Sequence, residues 1–313
     1  MRGENVTQVS AFILVGFPTT PRLQYLLFLL FLLTYLFVLV ENLAIILTVW
    51  GSPSLHRPMY YFLGSMSFLE LWYVCDIIPK MLDGFLLQRR RISFVGCMTQ
   101  LYFFSSLVCT ECVLLASMAY DRYVAICHPL RYSLIMRPTV CLCLGALVFC
   151  SGFSVASIET SLIFSSRFCR SNRVEHFFCD IAPVLKLSCA ESASKALAIF
   201  FLSILVVLIS FLLILLSYAF IVAALLRIPS AAGRSKAFST CAAHLTVVIV
   251  HFGCASIIYL RPESGGNPDQ DRLVAVFYTV VTPLLNPVVY TLRNKEVRVA
   301  LRRILARSHV ILK

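Results

Sequence analysis

Met118-Ala-Tyr-Asp-Arg-Tyr-Val-Ala-Ile-Cys-His-Pro-Leu-Arg-Tyr132 ends a long apolar run with an acid, a base and a phenol in succession: Asp121, Arg122 and Tyr123. A plain membrane anchor needs only a boundary there. A guanidinium at the edge of a poorly hydrated region needs a partner, and the neighbouring Asp121 can supply one. Walking back, Phe104, Val108, Glu111, Leu115, Met118 and Arg122 follow three- and four-residue steps and share one helix face. Glu111 then sits on the Arg122 face about 16 Å deeper, at ~1.5 Å per residue. An ordinary buried helix accounts for an apolar stripe, but less well for an acid and an arginine on it.

Working outward, 59% of the 313 residues are hydrophobic and 13% charged, so the bilayer is the expected solvent. Apolar runs of helix length recur near 23–50, 58–81, 98–126, 139–161, 195–226, 237–260 and 271–292. Backbone groups in lipid must be satisfied within each segment, so the expected fold is all-α, a bundle of seven transmembrane helices. This divides the chain into an extracellular N-terminus (1–22), a membrane domain (23–292) and a cytoplasmic tail (293–313). The N-terminus lacks the pattern of a cleaved signal peptide, so the first span is read as an uncleaved insertion signal.

The net charge of +12 flanks the spans, which points to membrane lipids as partners and not to nucleic acid. Arg89-Arg90-Arg91 runs against the positive-inside bias if the N-terminus is outside, whereas the sequon Asn5-Val6-Thr7 requires a lumenal N-terminus. Of thirteen cysteines, many lie in apolar spans, while Cys97, Cys169, Cys179 and Cys189 border or occupy polar loops. Those four allow three pairings, among which the sequence does not choose. Glu70 and Glu111 fall near the middles of spans two and three. Two carboxylates there imply shared protonation or a bound sodium ion. Glu41 is a further intramembrane acid without an evident partner.

The string MAYDRYVAICHPLRY resembles the olfactory receptor branch of the rhodopsin-like (class A) G-protein-coupled receptors. So do Lys236-Ala-Phe-Ser-Thr-Cys-Ala-Ala-His244, His176-Phe-Phe-Cys-Asp180 and Asn286-Pro287-Val-Val-Tyr290. The resemblance implies disulfides Cys97–Cys179 and Cys169–Cys189, holding a loop as a lid over a small cavity. It implies a switch made of Asp121, Arg122, Tyr123, Tyr218, Lys236, His244, Asn286, Pro287 and Tyr290, with His244 approaching Arg122 at rest. It also supports a cation between Glu70 and Glu111. Phe252 stands where the family more often has tyrosine.

By the same resemblance, ligand would meet Phe104, Ser105, Val108 and Cys109, then Leu202, Ser203, Val206 and Val207. Beyond these come His251, Phe252, Ala255, Ser256, Tyr259 and Thr279. That mostly apolar set suits a small volatile odorant, with a few polar groups for orientation. No acid lies on the outer Phe104 face, which disfavours a cationic amine. Val297, Leu301, Ile304 and Leu305 share one face of a tail otherwise rich in arginine, the pattern of an amphipathic helix on an anionic leaflet. The implied partner is the olfactory stimulatory heterotrimeric G protein, raising cAMP in the ciliary plasma membrane of olfactory sensory neurons. The alternatives are a non-odorant receptor of the same fold and a cation-coupled transporter, for which internal repeats and interrupted helices are missing. No catalytic constellation emerges, so an enzyme is not expected.

Overall fold

A computed structural model describes residues 9–169, 171–189, 193–227, 230–259, 268–293 and 296–303. The helices are α1 (Pro21–Gly51), α2 (Pro58–Leu86), α3 (Phe94–Cys127), α4 (Tyr132–Ile135), α5 (Pro138–Phe164), α6 (Ile181–Leu185), α7 (Ala193–Leu226), α8 (Ala231–Tyr259), α9 (Pro268–Val276) and α10 (Thr282–Arg293). A last helix, α11, covers 296–303. α1, α2, α3, α5, α7 and the α9–α10 unit are each long and apolar enough to cross a membrane, and α8 carries the shorter apolar stretch His244–Ile257. These are the seven expected spans, with α8 starting several residues earlier than its apolar run.

Local chemistry sets the starts. Proline leads α1, α2 and α5, where its missing N–H costs nothing. Ser93 caps α3 by accepting from Gly96 N at 3.0 Å. In the last span, Phe277–Val281 forms a π-helical turn just before Pro283, whose absent N–H breaks the regular ladder.

α3 is the central rod and packs most extensively against α5 and α7. Its apolar window is 78% buried, against 11% for α1, whose Leu26, Leu29, Leu30 and Leu33 stay exposed as a lipid-facing surface should. Close approach of α5 depends on Gly152: a Cβ there would collide with Thr110 Oγ1 and meet Ser106 O at 2.8 Å.

One element went unread in the sequence. Ala11–Leu14 forms β1, which pairs antiparallel with β2 (Arg91–Ser93) and parallel with β3 (Arg173–Val174). This small sheet closes one end of the bundle over a second core that includes Phe12, Leu101, Ile163, Val184 and Ile199.

Candidate functional site

At the sheet end, Cys97 and Cys179 are disulfide-bonded with Cα atoms 5.5 Å apart, and Cys169–Cys189 forms a second bridge at 5.1 Å. Gln100 reinforces the first. Its amide donates to Asp76 O and its oxygen accepts from Cys179 N, both at 2.9 Å. The loop continues through Phe178, its ring tilted against Phe104 with centroids 4.8 Å apart, and buried His176, whose ring lies against Phe177. Burial pushes the His176 imidazole down to about 3, with Arg272 adding repulsion. Arg272 ties loop to last span, with Glu175 at 3.0 Å and Asp269 at 2.7 Å. Asp180 caps α6 and accepts from Tyr278; burial raises its carboxyl to about 6.

Below this lid sit the residues expected to meet ligand. Phe104, Ser105, Cys109, Ser203, His251, Phe252 and Thr279 are buried. Val108, Leu202, Val206, Val207 and Ala255 are half-buried. Ser256 lies on an exposed face and donates to Phe252 O at 2.7 Å. The side chain of Tyr259 is outside the described residues.

The sequence reading missed Glu159 of α5. It is 1% exposed, accepts from Ser105 Oγ, and lies 2.6 Å from Ser203 Oγ. The outer Phe104 face of α3 itself carries no acid, as read from the sequence, but Glu159 of the neighbouring helix reaches Ser105 beside it and removes the ground for disfavouring a cationic amine. Val148, Gly152, Ala156, Glu159 and Ile163 are buried on α5, and this periodicity was the available signal.

In the middle, Glu70, Glu111, Tyr73, Thr282 and Asn286 line one small cavity of about 10 Å³. Asn286 Nδ2 donates to Glu70 Oε1 at 2.6 Å. Glu111 Oε1 lies 3.1 Å from His251 Nδ1, and the other ring nitrogen lies 3.3 Å from Cys112 Sγ. Oxygen donors around one small cavity fit a hard monovalent cation. His251, when protonated, supplies an alternative positive partner from within the chain. Among the described residues no group of three or more His, Cys, Asp or Glu side chains is placed to hold a metal ion.

At the opposite end, Arg122 Nε donates to Asp121 Oδ2 at 3.1 Å, and Tyr132 donates to the other oxygen at 2.7 Å. Asp121 is buried. Tyr123 lies against Phe220 of α7 and within 3.1 Å of His128. His244 does not pair with Arg122. Its Nδ1 meets Tyr218 Oη at 2.8 Å and its Nε2 meets Leu115 O at 3.1 Å. With Leu115 O on one side and the phenol on the other, the ring has no acceptor left for a guanidinium, which itself only donates. Pro287 lies within α10 beside the buried Asn286. The side chains of Lys236 and Tyr290 are outside the described residues, as are Asn5, Ile304 and Leu305. In α11, Val297 is buried and Glu296 accepts from Tyr60 of α2 at 3.1 Å.

Residues 31–308 match the sequence profile described as "Olfactory receptor". The chain belongs to the olfactory receptor family. It is 63% identical to olfactory receptor 6B3 of Homo sapiens, over 97% of this chain and 92% of the relative. It is also 63% identical to human olfactory receptor 6B2, over 97% and 98%. Olfactory receptor 6B9 of Mus musculus is 52% identical, over 97% and 96%. This olfactory receptor is thus a multi-pass membrane protein and a non-enzymatic G-protein-coupled receptor. Membership carries an odorant ligand and G-protein coupling in general terms.

Proposed function

We propose that this receptor binds a small, mostly apolar volatile odorant among the outer halves of α3, α7 and α8 and the π-helical turn Phe277–Val281, and activates a stimulatory G protein that raises cAMP. The N-terminus is extracellular in this reading, and the Arg122 end faces the cytosol in the ciliary membrane. The observation that carries it is the set of bonds at that end. Asp121 and Tyr132 hold Arg122, while the Tyr218–His244–Leu115 contacts join α7 and α8 to α3. Such a cluster describes a resting receptor whose guanidinium is withheld from a partner. Ligand works through its differential affinity for the resting and opened states. Glu70 and Glu111 would hold a sodium ion, which would supply positive charge between the two carboxylates.

The test is cAMP in cells co-expressing the olfactory G protein, challenged with a broad odorant panel, comparing wild type with Arg122→Ala at matched surface level. A response lost in the variant supports the reading. Responses that persist undiminished would sink it.

A further inference from the structure

The described hydroxyl groups of the candidate ligand set, those of Ser105, Ser203, Ser256 and Thr279, share one property. Each has one hydrogen to give, and each gives it to the protein. Ser105 donates to Glu159 Oε2, and Thr279 donates to Ala275 O at 2.7 Å. Ser203 reaches Glu159 Oε1 at 2.6 Å and Ile199 O at 3.0 Å. Ser256 donates to Phe252 O. His251 is engaged at both nitrogens, by Glu111 and Cys112.

With Glu159 ionised, it takes the hydrogens of both serines. With a proton on Oε1, the acid donates to Ser203, which turns its own hydrogen to Ile199 O. Only a proton on Oε2 frees a seryl hydrogen, that of Ser105. What the described side chains of the wall offer a ligand is therefore lone pairs, the weak Cys109 thiol aside.

Resting on the odorant reading above, we infer that Glu159 sets the ligand class: by consuming the hydrogens of Ser105 and Ser203 it makes the polar wall an acceptor, selecting odorants that carry a hydrogen-bond donor. Alcohols, phenols and primary amines meet that wall with an O–H or N–H. Ethers, ketones and esters of the same skeleton bring a second acceptor and leave both sets of lone pairs buried without a hydrogen, a loss worth roughly tenfold or more in affinity. Amines gain in addition from the carboxylate itself. Glu159 acts on neutral donors through the two serines and is in that respect a positioning residue.

The experiment compares alcohols and primary amines with methyl ethers and ketones of matched carbon skeleton, by cAMP dose response, in wild type, Glu159→Gln and Ser203→Ala at matched surface level. Donor ligands are expected to be at least about tenfold more potent in wild type. In Glu159→Gln an amide N–H in the place of Oε2 donates to Ser105 and frees that hydroxyl's hydrogen, so the ratio should fall toward one with ketones gaining. Ser203→Ala should weaken donors and leave ethers unchanged, and it carries the test if Glu159→Gln does not reach the surface. Equal potency of the two classes in wild type, or a ratio unmoved in both variants, overturns the inference while leaving the receptor reading intact. Silence of the surface-expressed wild type across the panel counts against the receptor reading itself, and with it against the inference.

Discussion

Tyr132 donates its phenolic hydrogen to Asp121 Oδ1 at 2.7 Å, so that the carboxylate holding Arg122 is itself held from the short helix that follows. Two groups, not one, keep the guanidinium in place. Burial and the adjacent carboxylate raise the Tyr132 phenol well above its usual range, so it remains a donor at any physiological pH.

Removing that hydroxyl isolates its contribution. Tyr132→Phe leaves Asp121 Oδ1 without its partner at a cost of about 1 kcal/mol. Basal cAMP should rise severalfold at constant surface level, with the odorant maximum unchanged. A basal signal equal to wild type would show that α4 does not restrain Arg122.

Gly152→Ala should be poorly tolerated. The added methyl meets Thr110 Oγ1, Thr110 N and Ser106 O all within 2.8 Å, and two of these are backbone atoms that cannot swing aside. Overpacking of this kind costs about 1–3 kcal/mol, so surface expression and thermal stability in detergent should both fall. Gly145→Ala on the same helix, with open space around it, is the control and should behave as wild type.

Phe12→Ala tests whether the sheet belongs to the folding unit. Phe12 is fully buried between Phe94 and Phe168, and truncating such a ring costs about 3–5 kcal/mol. Reduced delivery to the surface, together with faster cleavage of the 91–93 segment by added trypsin, is the expected result. Unchanged delivery would make β1 an ornament.

The lid carries two opposed pH dependences. His176 sits near 3 in place of 6.5, so the stability it contributes is present above 6.5 and is lost as pH falls from there toward 3. Asp180 is raised from 3.8 to about 6, so its folded state loses stability as pH rises through that window and regains it on acidification. Thermal unfolding of purified receptor at pH 7 and 5 reads the sum. Asp180→Asn should make acid more damaging, and His176→Gln should make mild acid stabilising. The same slope in both variants would refute the assignment.

The number of spans was legible because hydropathy over twenty residues needs no partner to be read. The ends blurred where polar helix continued past lipid, as at the start of α8. Arg122, His244 and Asn286 stood out as polar groups in apolar surroundings, and Asp121 was legible as the partner of Arg122, yet the partners of the other two were not. Whether His244 bonds Arg122 or Leu115 O depends on how α8 is set against α3, which no single-chain periodicity contains. Glu159 was passed over for a related reason: on α5 it is one acid in an apolar run, and its meaning appears only where Ser105 and Ser203 converge on it. Ala11–Leu14 is too short to carry a period, and it becomes a strand because two loops offer it edges.

α8 meets α3 through two imidazoles seven residues apart, His244 near one end of the contact and His251 near the other. Two pins on one rod define a hinge line. Swinging the far end of α8 away sacrifices the His244 pin alone and turns about His251, whereas rolling α8 on its axis breaks both. Cheap motion is thereby confined to one direction, and the Glu111–His251 contact becomes the pivot about which any opening at the Arg122 end is levered.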